Sequence, residues 1–196
     1  MSKVEIFGFG GSTCVRTALM VCEEKGVEHA VVPLDFGAAS HRTLHPFLKI
    51  PAMRHGKVSP FETAAIATYV DAIGPGPALQ PDRAEDRALM WQWVSSSIDH
   101  LYDPFVRSAL SDGGDSAAAQ ESRQNAFEAI EGALAGHRFF AGEALSLADL
   151  FIAPMIAFDL GRRRREGVDA AFDRQPGLAA WYDRVAARDS FKRTVG

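Results

Sequence analysis

Eight residues, Gly74 to Pro81 (GPGPALQP), divide this sequence into two parts of different character. Two glycines and three prolines so close together cannot be carried inside a helix or a central strand, so regular structure must stop there. Before the break, strand-like and helix-like patterns alternate; after it only helical spacing is found. With 196 residues the chain has room for one large domain or two small ones, and the break favours two. Its 47% hydrophobic and 23% charged content is that of a globular protein and argues against disordered and fibrous classes.

In the first part, Lys3 to Gly8 alternates apolar and polar residues as a strand does, and glycines 8, 10 and 11 end it. A helix is expected from Ser12 or Thr13 to a stop at Gly26, with Val15, Ala18, Leu19 and Cys22 as its buried stripe. Ala30 to Leu34 reads as a second strand, and Asp35 to Leu48 as a loop with one helical turn. Ala52 to His55 and Lys57 to Pro60 read as a short hairpin around Gly56, and Phe61 to Ile73 as a helix. The order strand, helix, strand, loop, hairpin, helix fits an α/β unit.

In the second part, Asp82 to Leu110 and Ser116 to Leu134 have helical spacing, separated by the glycine-containing Ser111 to Ser116. Ser146 with Asp149 three residues on makes a capping-box start to a helix through Phe158, and Pro176 opens a last helix to Arg188. The expected organisation is an α/β domain over 1–75, a linker over 76–82 and an all-helical domain over 83–196.

A net charge of -4 offers no general attraction to phosphate backbones; the one basic run, Arg162 to Arg165, reads as a helix face or helix end. No nucleic-acid partner is expected. Without a long apolar stretch, no membrane association is expected either, and the protein reads as cytoplasmic. Cys14 and Cys22, eight positions apart on one helix, lie about 12 Å apart along its axis, too far for a disulfide.

Three segments of the first part carry chemistry. Gly11-Ser12-Thr13-Cys14 follows the first strand, where Ser12 can cap a helix or offer its hydroxyl to a ligand at the helix's positive end. Lys49-Ile50-Pro51-Ala52 opens an edge strand with an X-Pro bond, the one linkage where a cis isomer is common. Phe61-Glu62-Thr63 starts a helix with an anion beside a hydroxyl and free N–H groups. In this order, together with Leu145-Ser146-Leu147-Ala148-Asp149 in the second part, the segments resemble the glutathione transferases, most closely the serine-using phi class. The likeness covers most of the first domain and one motif of the second.

The resemblance implies a thioredoxin-like N-terminal domain followed by an all-α C-terminal domain, with glutathione as cosubstrate and no metal. It makes Ser12 the catalytic residue. A free thiol is only about 1–3% thiolate at pH 7, and a hydroxyl donating to the sulfur favours the nucleophilic form. It implies a cis Ile50–Pro51 bond whose Ile50 backbone pairs with the cysteinyl part. Glu62 and Thr63 would then hold the γ-glutamyl end, and His41, Arg42 and Lys49 the glycine carboxylate. The second substrate is a small hydrophobic electrophile held by the helical domain, the assembly a homodimer, the role detoxification.

Cys14 is the competitor to Ser12, since some related classes run thiol exchange through a cysteine in this loop; here it falls two residues later, where a packing role is the alternative. Trp91, Trp93, Tyr102, Phe105 and Phe158 are candidates for either an electrophile pocket or plain core. Isomerase, peroxidase or thiol-transferase chemistry on the same site, and a non-catalytic glutathione-binding protein, are the alternatives to conjugation.

Overall fold

The computed structural model describes residues 3–110, 116–167, 172 and 174–195; the expected separator at 111–115 lies outside them. The chain divides into two compact units, Met1–Leu79 with Arg188–Gly196, and Gln80–Ala187.

The first unit is built on β1 (Val4–Phe7), α1 (Thr13–Lys25), β2 (His29–Val32), α2 (Ala39–Leu44), β3 (Ala52–Arg54) and α3 (Thr63–Ile73). The sheet has the order β2-β1-β3, with β1 parallel to β2 (Val4 opposite His29) and antiparallel to β3 (Glu5 opposite Arg54). The parallel pair needs a crossover, and α1 supplies it. Its ends are those expected: Ser12 Oγ accepts the Val15 N–H at 3.4 Å, and Gly26, at φ 62, donates its N–H to the Cys22 and Glu23 carbonyls. Val15, Ala18, Leu19 and Cys22 are all buried, and burial pushes the Cys22 thiol up to about 12.

Three local readings shift. β2 begins at His29 rather than Ala30, and the loop of 35–48 contains the six-residue α2. The second hairpin strand is reduced to isolated bridges, His55 with Val58 and Ala52 with Phe61. Pro60 has no N–H to give and can only accept from Met53 N–H, at 2.9 Å, so the ladder cannot continue through it.

The proline- and glycine-rich stretch is fastened rather than loose. Lys25, almost wholly buried, meets Asp71 at 3.1 Å and donates to the carbonyls of Gly76 (2.6 Å) and Pro77 (2.9 Å). Asp71 in turn accepts the Leu79 N–H at 2.9 Å. A Cβ on Gly76 would strike the Glu24 carbonyl oxygen, so glycine is required there for close approach.

In the second unit α4 (Ala84–Ser96) continues through π-helical turns at Ser97–Leu101 and Asp103–Arg107 into a 3-10 turn at Ser108–Leu110. Pro104 sits inside this run; it lacks an N–H and crowds the preceding turn, and the helix is widened around it. α5 (Ala117–Ala133), α6 (Leu147–Arg165) and α7 (Pro176–Ala186) follow. α6 runs well past Phe158, and the basic run forms its last turn. Leu147, Leu150, Phe151, Ile152 and Ile156 make α6 the buried centre of the unit. At its start the buried Asp149 carboxylate accepts from Ser146 N–H and Oγ (2.8 Å each), Trp181 Nε1 (2.8 Å) and Phe140 N–H (3.2 Å). Glu131 on α5 caps α7 by accepting the N–H groups of Gly177 (2.9 Å) and Leu178 (2.7 Å).

The expected last helix stops at Ala186, and α8 (Asp189–Arg193) belongs to the first unit. Both Arg188 nitrogens that face Glu24 on α1 lie 2.6 Å from its carboxylate oxygens, and the Arg16 guanidinium stacks 4.0 Å from the centre of the Phe191 ring. Among the described residues no helix is long and apolar enough to cross a membrane.

Candidate active site

Two helix N-termini meet in the first unit. Thr63, the first residue of α3, lies within hydrogen-bonding reach of the Cys14 thiol in the first turn of α1. Gly8, just past β1, brings the third component in: a Cβ there would lie 2.5 Å from Val15 Cγ2 and 3.5 Å from Ile50 Cβ. Ile50 therefore sits against the strand end from which α1 departs. Cys14 and Thr63 are thus neighbours, Ser12 caps the same end of α1, and the Glu62 carboxylate is close enough to act on Cys14 electrostatically.

Ser12 is half-exposed, and its oxygen accepts the long bond from Val15 N–H, which leaves the hydroxyl proton free to donate. α1 has no acidic residue in its first turn, so its positive end is not neutralised from within. Cys14 differs. Burial raises its pKa, and the neighbouring Thr63 and Thr13 hydroxyls, which pull the other way, do not overcome that, so it is a protonated thiol at neutral pH.

The Ile50–Pro51 bond is cis, and among the described residues neither the Ile50 N–H nor its C=O makes a hydrogen bond. Half-buried backbone groups without partners beside a strand end are a place for an extended ligand to add.

His41 does something other than expected. It is 1% exposed, and its Nδ1 accepts the Gly37 N–H at 3.2 Å. That places the proton on Nε2, which donates to the Lys49 carbonyl at 3.0 Å. With both nitrogens used, His41 holds the loop that presents Lys49 and Ile50. The Lys49 and Arg42 side chains are exposed. Phe36 meets the His41 ring edge-on at 5.4 Å, and Phe9 packs on Phe36 at 6.1 Å, both largely exposed.

Glu62 has φ 70, a left-handed conformation that a non-glycine residue adopts at a cost of about 1–3 kcal/mol. Its carboxylate is exposed, and the nearest cation-capable group is His45 Nε2 at 3.9 Å. Sequence reading passed over His45, since a lone loop histidine carries no pattern of its own. Of the aromatic candidates in the second unit, Phe105 is core and packs on Phe127 (5.0 Å), while Trp93 packs on Phe140 (4.8 Å). Among the described residues no group of three or more His, Cys, Asp or Glu gathers as a metal site would.

A three-stranded sheet with its helices, an all-helical second unit and a cis-proline strand start beside the N-terminus of α1 define a protein built on the thioredoxin plan with a helical extension. Residues 2–72 match the family "Glutathione S-transferase, N-terminal domain", and 97–189 match "Glutathione S-transferase, C-terminal domain". The chain is 30% identical over 212 residues to "Glutathione S-transferase 3" of Zea mays, covering 100% of this chain and 94% of that one. It is 27% identical over 213 residues to "Probable glutathione S-transferase GSTF1" of Oryza sativa subsp. japonica, covering 98% and 95%. The solved structure of glutathione S-transferase III in apo form superposes with a TM-score of 0.85 at 25% identity, over 99% of this chain and 96% of that chain. A poplar glutathione transferase superposes at 0.86 with 22% identity, over 100% and 97%, a likeness of fold alone. The chain belongs to the glutathione S-transferase family, with plant phi-class members among its relatives, as its sequence motifs led us to expect.

Proposed function

We propose that this glutathione transferase binds glutathione along Ile50 and joins its thiolate sulfur, by a new S–C bond, to small hydrophobic electrophiles. The observation that carries this is the unpaired Ile50 backbone beside Gly8, at the strand end from which α1 departs. The cysteinyl unit pairs with Ile50 as a short added strand, which directs its sulfur to Ser12 at the positive end of α1. Ser12 donates to the sulfur and favours the thiolate. At the other end, the Glu62 carboxylate takes the γ-glutamyl ammonium, and Thr63, with hydroxyl and N–H at a helix start, takes the carboxylate. Arg42 and Lys49 hold the glycine carboxylate, with His41 acting through the loop backbone. The enzyme's gain comes from the lowered thiol pKa and from proximity.

The division of labour is residues 1–75 for glutathione, 76–82 as linker and 83–196 for the electrophile, with the closing Arg188–Gly196 packed in the first unit and serving its stability. By family resemblance the protein is a cytoplasmic homodimer that serves detoxification. Light scattering behind size exclusion that gives 21.3 kDa at micromolar concentration would count against the dimer.

The site is tested by calorimetric titration of glutathione into wild type and Glu62→Ala. The variant should bind more weakly while turning over nearly as fast at saturation, because the ammonium contact is the same in ground and transition states. Unchanged affinity removes Glu62 from the site.

A further inference from the structure

His45 caps the C-terminal end of α2, and its side chain is 2% exposed. It lies 4.8 Å from the ring of Phe61, the residue before Glu62, and 6.2 Å from that of Phe47. Its backbone is tied on both sides: its N–H donates to the His41 carbonyl at 2.8 Å, and its own carbonyl accepts from Leu48 N–H at 2.9 Å. Two features of the ring have no structural use so far. Nε2 faces the Glu62 carboxylate at 3.9 Å, and Nδ1 is buried with no hydrogen-bond partner among the described residues.

A neutral imidazole has one N–H and one lone pair. Putting the proton on Nδ1 would bury a donor with nothing to receive it, which costs about 1–3 kcal/mol; putting it on Nε2 turns the donor to Glu62. The cation would need both protons and would bury the same orphan donor. The titratable groups that bear on the ring are Glu62, His41 and Lys49. Desolvation, the largest influence, holds the pKa down with help from the Lys49 charge, against the pull of Glu62; His41, neutral with its Nδ1 accepting from Gly37, would add to this only if protonated. His45 is therefore a neutral N–H donor at neutral pH, with its proton on Nε2.

We propose that His45 is a positioning residue for substrate recognition: its Nε2–H orients the Glu62 carboxylate toward the γ-glutamyl ammonium of glutathione without neutralising it. This rests on the reading of Glu62 given above. The gap of 3.9 Å is closed by rotation of the exposed Glu62 side chain. A lysine or arginine here would cancel the charge that attracts the ammonium. A neutral donor supplies direction and leaves the charge intact, and the φ of 70 at Glu62 sets where that side chain starts. The site thus selects for a free α-amino group.

The test measures the affinity ratio of glutathione over its desamino analogue, glutaryl-cysteinyl-glycine, in wild type, Glu62→Gln, His45→Phe and His45→Gln. Wild type should prefer glutathione. Glu62→Gln should bring the ratio close to one; if it leaves the ratio unchanged, the reading of Glu62 fails. His45→Phe keeps the ring packing on Phe61 and Phe47 and should lower the ratio about three- to tenfold, with kcat at saturation held. His45→Gln, still a neutral donor, should recover at least part of it. A collapsed ratio in Glu62→Gln beside an unchanged one in His45→Phe overturns the role of His45 alone. Should His45→Phe not fold, nitrogen NMR of the wild-type imidazole decides: a neutral Nε2–H form at pH 7 supports the proposal, and an Nδ1–H form or a cation refutes it.

Discussion

Replacing Ser12 with alanine removes one O–H donor from the place where the glutathione sulfur is to lie. A hydrogen bond to a charged partner contributes about 1.5–3 kcal/mol, and one pKa unit corresponds to about 1.4 kcal/mol. The pKa of bound glutathione should therefore rise by about one to two units. The positive end of α1 stays in place, since its first turn contains no acidic residue to offset it, so the shift is not larger. With the thiol pKa above neutrality, conjugation at pH 7 should fall roughly ten- to a hundredfold, and the gap should close at a pH above both thiol pKa values. Stability should change little, because the cap bond to Val15 is long at 3.4 Å. Its loss falls at the low end of cap values, about 0.5 kcal/mol, or about 1–2 °C in Tm. The assay is ultraviolet titration of the thiolate in the glutathione complex, paired with conjugation rates across pH. If wild type and Ser12→Ala titrate at the same pH, the role given to Ser12 is wrong.

Cys14→Ala should keep conjugation within about twofold of wild type, since a thiol that burial keeps protonated is no nucleophile at neutral pH; loss of reduction of a glutathione mixed disulfide in this variant, spared in Ser12→Ala, would point to thiol exchange instead. Glu24 is partly desolvated, but its hydrogen bonds from Arg188 and Ser190 outweigh that and hold its pKa below the ordinary carboxylate value. A folded pKa lower than the unfolded one stabilises above the unfolded pKa, and that contribution is lost as pH falls through the folded pKa. Glu24→Gln should thus lose about 1–2 kcal/mol at pH 7, allowing for solvent screening, and the difference should vanish in acid when urea unfolding is followed against pH. Asp149→Ala strands four buried donors and should cost about 3–5 kcal/mol, read as a lowered urea midpoint; a loss under 1 kcal/mol would mean that water replaces the carboxylate.

What sequence reading could see was local chemistry with a fixed spacing. Ser12 and Gly26 bracket α1 because a hydroxyl and a left-handed glycine are what helix ends demand. Ser146 and Asp149 pair because a capping box spans three residues. Ile50-Pro51 and Glu62-Thr63 stood out as part of an ordered set, although only the fold brings Thr63 to Cys14 and Ile50 to Gly8. The assignments that changed depend on which way a side chain points. His41 looked like a loop cation, and its ring instead spans Gly37 and Lys49. His45 carried no signal because its partner is seventeen positions away across a hairpin. The π-helical turns around Pro104 share the spacing of an ordinary helix closely enough to be read as one.

The first unit is assembled from two stretches that are distant in the chain, since Arg188 and Ser190 grip Glu24 on α1 across 164 and 166 positions. On a ribosome, residues 1–79 emerge first, yet the segment that clamps α1 emerges only after the whole helical unit has been synthesised. The glutathione-binding unit must therefore wait, incompletely closed, while about a hundred further residues are added at roughly 5–20 per second. For those several seconds the helix that bears Ser12 lacks its clasp. Nascent chains stalled shortly before Arg188 should be digested in the first unit by protease, and chains released after Thr194 should resist.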